Sequence, residues 1–92
     1  MTAVSSRLHH RIVRDFPQAG SAEEVVRLLA DASGSERVQA AIVLAARGDL
    51  AELRREVELA AVDWRDVLVN GGLAGDDWQS VLTSTLGPDQ TS

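Results

Sequence analysis

The sequence predicts an all-α fold, a compact bundle of five to six short helices around a central hydrophobic helix at about residues 36–47. Three observations carry that expectation. Residues 38–46 are apolar right round a helix except at Gln39, and a helix with no solvent side must be covered by neighbours. Elsewhere the apolar residues recur at three- and four-residue spacings, the period of one helix face. Serine, aspartate and glycine stand at the ends of those stretches, where caps and stops belong.

The first helix is expected over about residues 3–16, stopped by Pro17. Val4, Leu8, Ile12 and Phe16 form its apolar stripe, and Arg7, His10, Arg11 and Arg14 line another face. Ser21 with Glu24 reads as a capping box opening a second helix, whose buried face is Ala22, Val25, Val26, Leu29 and Ala32. Gly34 is the expected left-handed stop. Ser35 caps the central helix, and its four alanines give it a thin waist that neighbours can approach closely.

Gly48 ends that helix and Asp49 caps the fourth. Leu50, Leu53, Val57, Ala60, Ala61 and Trp64 form its expected inner stripe, with Glu52, Arg54, Arg55, Glu56 and Glu58 outside. Asp63, with Asp66 three residues on, favours a break or kink and a fifth helix to about Asn70, closed by Gly71-Gly72. Asn70-Gly71 is also a hairpin signal, but no second strand follows it. Asp76 or Asp77 starts the last helix, which ends at Gly87-Pro88. Asp-Trp-x-x-Val-Leu occurs at Asp63 and again at Asp77, which reads as two short helices docking on the core by the same chemistry.

The 92 residues suffice for one core, assigned to a single helical domain over residues 1–87 followed by a disordered polar tail at 88–92. An apolar fraction of 45% and a charged fraction of 25% are those of an ordinary globule. Cysteine is absent, which excludes thiolate chemistry and disulfides. No apolar run is long enough for a signal peptide or a membrane span, so the expected compartment is the cytoplasm. The net charge of −5 opposes general affinity for nucleic acid or anionic membrane. All nine basic residues are arginine, a bias typical of a high-GC bacterium.

No catalytic constellation stands out. The carboxylates fall mostly in caps and first turns, where helix construction explains them. His9 and His10 are adjacent, so on a helix they point about 100° apart and cannot hold one metal together. Ser5, Ser21 and Ser35 read as caps rather than nucleophiles. Arg47-Gly48-Asp49 reads as a helix stop followed by a cap, not an adhesion signal. A helix-turn-helix at the third and fourth helices would turn Glu52, Glu56 and Glu58 toward phosphates, which electrostatics oppose.

Two features remain for a partner. The stripe Arg7, His10, Arg11 and Arg14 could meet an acidic protein or nucleic acid. Trp64 and Trp78 are either core anchors or surface hot spots. The expected function is a non-catalytic protein-interaction or regulatory module without cofactor or metal. Its partner would be another protein or a second copy of the chain. The alternative is a small nucleic-acid-associated regulator working through the basic first helix, and a metal or enzymatic role for His9 or His10 ranks third.

From Glu36 to Leu82 the chain resembles a group of small uncharacterised all-helical proteins common in actinobacteria. The residues that carry the likeness are Glu36-Arg37-Val38-Gln39-Ala40-Ala41, Arg47-Gly48-Asp49-Leu50, Asp63-Trp64-Arg65-Asp66-Val67-Leu68-Val69, Gly72-Leu73-Ala74 and Asp76-Asp77-Trp78. The resemblance covers about half the chain and implies an all-helical fold. It brings no activity.

Overall fold

A computed structural model describes residues 4–87. In order the helices are α1 (Ser6–Asp15), α2 (Ser21–Ala32), α3 (Glu36–Ala46), α4 (Leu50–Gly71) and α5 (Trp78–Leu86). The fold is all-α. The polar tail expected at 88–92, and residue 3 of the predicted opening helix, lie outside the described residues; Val4 and Ser5, also expected in that helix, precede it, because Ser5 is its extended N-cap.

Helix boundaries follow from capping chemistry where the backbone allows it. Ser5 is extended, and its hydroxyl accepts from the Leu8 amide at the start of α1. Ser35 does the same for α3 through the Val38 amide. Asp49 accepts from the Ala51 and Glu52 amides and opens α4. Arg47 (φ 52°) and Gly48 (φ 80°) are both left-handed, so two consecutive reversals end α3 and return the chain beside it. Arg47-Gly48-Asp49 is accounted for as stop and cap.

Two expected boundaries are built differently. Gly20, left-handed at φ 81°, leads straight into α2, so Ser21 is already helical and makes no capping bond. A side-chain cap needs extended backbone at its own residue. Glu24 is thereby released and pairs with Arg54 of α4. At the other end of α2 the stop is Ser33, extended at φ −166°, and Gly34 is not left-handed. Ser33 instead accepts the Ser35 amide on its hydroxyl at 3.0 Å and the Gln39 side-chain amide on its carbonyl at 2.6 Å. Gln39, the one polar residue inside the central stretch, is thus buried and satisfied.

The core is a single cluster joining all five helices. Val4, Leu8, Ile12 and Phe16 are buried together, as their four-residue spacing predicts. In α3 the run from Val38 to Val43 is buried without interruption, and so is Ala46. Each fully buried Leu, Ile or Phe in such a cluster contributes roughly 1.5–3 kcal/mol.

α4 is the main partner of α3, and it is folded in two. Asp63 is extended (φ −152°, ψ 94°) in the middle of an otherwise helical segment. The Asn70 side-chain amide donates to Glu56 Oε1 at 3.1 Å. On a straight helix residues so far apart in sequence would be separated by about 21 Å, so the second arm returns alongside the first. Asp63 also accepts the Arg65 amide at 3.1 Å, capping the second arm. The predicted fourth and fifth helices are therefore two arms, 50–62 and 64–71, hinged where Asp63 made a break likeliest on local grounds. Glu56, expected on the outer face, is buried at 9% exposure because the returning arm covers it.

Gly71 makes the return possible. A Cβ at Gly71 would lie 2.5 Å from both Cα and O of Ala41. The second arm crosses the thin waist of α3 at backbone-to-backbone distance, which only a glycine facing an alanine permits. Gly72 (φ 78°) then closes the helix, so Asn70-Gly71 belongs to a helix end and not to a hairpin.

Candidate functional site

The basic stripe of α1 is spent largely inside the molecule. Arg7, only 9% exposed, grips the Glu36 carboxylate with two nitrogens, Nε to Oε2 at 2.8 Å and Nη2 to Oε1 at 2.7 Å. Its Nη1 donates to the Gly87 carbonyl at 3.1 Å. Ser5 donates to the same carboxylate. The Arg7 guanidinium holds Glu36 below the ordinary carboxylate range against the opposing effect of burial, with the Ser5 hydroxyl also lowering it. Arg11 pairs with Asp15 at 3.0 Å and donates to the Thr85 carbonyl at 3.2 Å.

Two arginines of α1 thus satisfy carbonyls at the end of α5, the position where cations suit the helix dipole. Buried Arg7 is withdrawn from any partner contact, and Arg11 is half-buried. Only His10 and Arg14 of the stripe are exposed. Spacing alone showed four basic residues on one face, but not that α5 would dock against it.

The tryptophans divide. Trp78 is half-buried against the core at the start of α5. The Arg37 guanidinium stacks over its ring at 4.7 Å, and Arg37 Nε donates to the Leu73 carbonyl at 2.9 Å. Trp64 is not a core anchor, being 49% exposed in the first turn of the second arm of α4. It holds the expected helical phase, sharing a face with buried Val67 and Leu68. At that turn the Arg65 guanidinium lies 5.6 Å from the ring centroid, and about half of the residue stays open to water. Val62, beside the hinge, is 85% exposed.

Trp64 forms one wall of a groove of about 430 Å³ where the end of α2, the start of α3 and the hinge of α4 meet. Ala32, Val38, Ala60 and Leu68 supply its apolar surface, and Ser33, Ser35 and Arg37 supply the polar part. That volume lies at the lower end of the ~300–1,000 Å³ typical of ligand pockets, enough for one or two bulky side chains. Sequence reasoning passed over Arg37, although a signal existed. A cation in the first turn of a helix opposes the macrodipole, so it needs compensation, here from the Trp78 ring and the Leu73 carbonyl.

A second, polar hollow of about 560 Å³ lies where α3 passes into α4, beside Arg47, Asp49, Glu52, Glu56 and Asn70. No group of three or more histidines and carboxylates that could hold a metal ion occurs among the described residues. None of the helices among them is long and apolar enough to cross a membrane. Comparison with known proteins adds no relative from which a role could be carried over: no family model, no curated protein and no solved structure matches this chain.

Proposed function

We propose that the protein is a non-catalytic interaction module that engages another protein at the groove beside Trp64. The observation that supports this reading is the position of Trp64, a large aromatic ring half open to water on the wall of an apolar groove. Tryptophans at the edge of a pocket are prominent among the residues that dominate binding energy. We propose as well that the chain belongs to the small actinobacterial group it resembles between Glu36 and Leu82. The alternative, a regulator acting on nucleic acid through α1, has less to stand on, because Arg7 and Arg11 are engaged within the fold and the chain carries a net charge of −5.

The test is affinity capture from the native host with the whole chain and with its Trp64→Ala variant, after thermal melts have matched the two. The reading expects at least one protein retained by the wild type and lost from the variant. If every retained protein is held equally by both, the groove is not the binding face.

A further inference from the structure

We infer that the groove takes an acidic, apolar peptide segment, in which a bulky aliphatic or aromatic side chain fills the space beside Trp64 and a neighbouring carboxylate meets Arg37. This rests on the groove being the binding face.

Arg37 is held on two sides before any partner arrives. Its Nε is fixed at 2.9 Å on the Leu73 carbonyl, and its plane lies over the Trp78 ring at 4.7 Å. Neither contact neutralises the charge, and among the described residues Arg37 forms no ion pair. Arg7, Arg11, Arg54 and Arg55 each meet a carboxylate within the fold, whereas Arg37 is held by a carbonyl and a ring on the wall of a groove. A guanidinium fixed through Nε and one face keeps its two terminal nitrogens for a carboxylate, and little side-chain entropy remains to be lost on binding.

The neighbouring polar groups match the same acceptor. The Ser33 hydroxyl accepts from the Ser35 amide, and the Ser35 hydroxyl accepts from the Val38 amide. Each hydroxyl therefore keeps its own hydrogen to donate. The polar part of the groove is thus lined by donors and a cation, with no carboxylate among its residues. The apolar part, Val38, Ala60 and Leu68 with the Trp64 ring, takes the neighbouring side chain. A basic segment would place like charges together, and a purely apolar one would cover Arg37 without pairing it, which burial makes unfavourable.

Panning a phage-displayed library of random linear peptides on the whole chain tests this. Enriched peptides should carry Asp or Glu close to Leu, Ile, Met, Phe or Trp. A synthetic copy of an enriched peptide should bind the wild type about tenfold more tightly than its Glu→Gln or Asp→Asn counterpart, and Arg37→Gln should remove that difference. The peptide swap leaves the protein untouched, so it decides even if Arg37→Gln folds poorly. Trp64→Ala should weaken both peptides.

Peptides that depend on Trp64 but not on a carboxylate would overturn the acidic partner and leave the groove standing. Enriched peptides indifferent to Trp64, or no enrichment, would remove both claims. Self-association of the free chain in sedimentation, reversed by Trp64→Ala, would make the occupant a second copy and overturn the proposal.

Discussion

Replacing Gly71 with alanine probes the tight crossing of α4 over α3, and two effects of opposite sign decide the result. Gly71 is helical and not left-handed, so on propensity alone alanine is favoured by about 1 kcal/mol. Against that, the new methyl would sit 2.5 Å from Ala41 Cα and O and 2.8 Å from Ala41 Cβ. Reaching ordinary contact at 3.4 Å requires the second arm of α4 to move off α3 by 0.9 Å (3.4 − 2.5). The atoms on the α3 side are mostly backbone of a fully buried residue and cannot rotate away. A gap of roughly 0.5–1 Å forfeits a quarter to a half of each dispersion contact along that face.

Overpacking of this kind costs up to about 3 kcal/mol. Subtracting the propensity gain of about 1 kcal/mol leaves a net loss of about 2 kcal/mol. For a domain of this size that is a fall in Tm of roughly 8–16 °C. Urea unfolding followed by circular dichroism measures it. Gly34→Ala is the control, since a Cβ there meets nothing within 4 Å and the backbone is not left-handed. It should be neutral or stabilise by up to about 1 kcal/mol. A Gly71→Ala protein as stable as the wild type would refute the close crossing of α3 and with it the folded-back α4.

Two further predictions concern the ends of the bundle. Glu36 is held below its ordinary value of 4.5 in the folded chain. Its contribution is therefore fully present above that pH and is lost as the pH falls below it through the folded value. Glu36→Gln should lower stability at neutral pH by about 2 kcal/mol and flatten the loss below pH 4.5, read from denaturation midpoints across the acid range. An unchanged acid limb would detach stability from the Arg7 clamp. Trp64→Ala should change stability by no more than about 1 kcal/mol, whereas Phe16→Ala should cost about 3–5 kcal/mol. Equal losses in thermal melts would mean that the Trp64 ring is as much a part of the core as Phe16.

What could be read from the sequence was what local chemistry decides. The stripe Val4, Leu8, Ile12 and Phe16, the caps Ser5, Ser35 and Asp49, and the helix end at Gly71-Gly72 depend on residues within a few positions of each other. The break at Asp63 was legible for the same reason, since an aspartate that can cap the next turn competes with helix continuation. Ser21 misled because its capping depends on the dihedrals of Gly20, which set the entry into α2. Gly34 misled because the α2–α3 turn is fixed from a distance, by the buried Gln39 amide reaching Ser33.

Partnering across the chain was not legible. Arg7 and Arg11 lie on one face whether they meet solvent or the end of α5, and only docking of α5 separates the two. Glu56 looks like any outer-face glutamate until the second arm returns to cover it. Trp64 keeps the phase of the inner stripe, so periodicity placed it inside. Where the covering helices stop is a tertiary fact, and it leaves the ring as one wall of the groove.

The most direct measurement uses Trp78→Phe, which leaves Trp64 as the only tryptophan. Its emission in the folded protein should resemble that of a hydrated indole, be quenched readily by acrylamide, and shift to the blue when a groove-binding peptide is added. Blue, quencher-protected emission from the free protein would place Trp64 in the core and contradict the account.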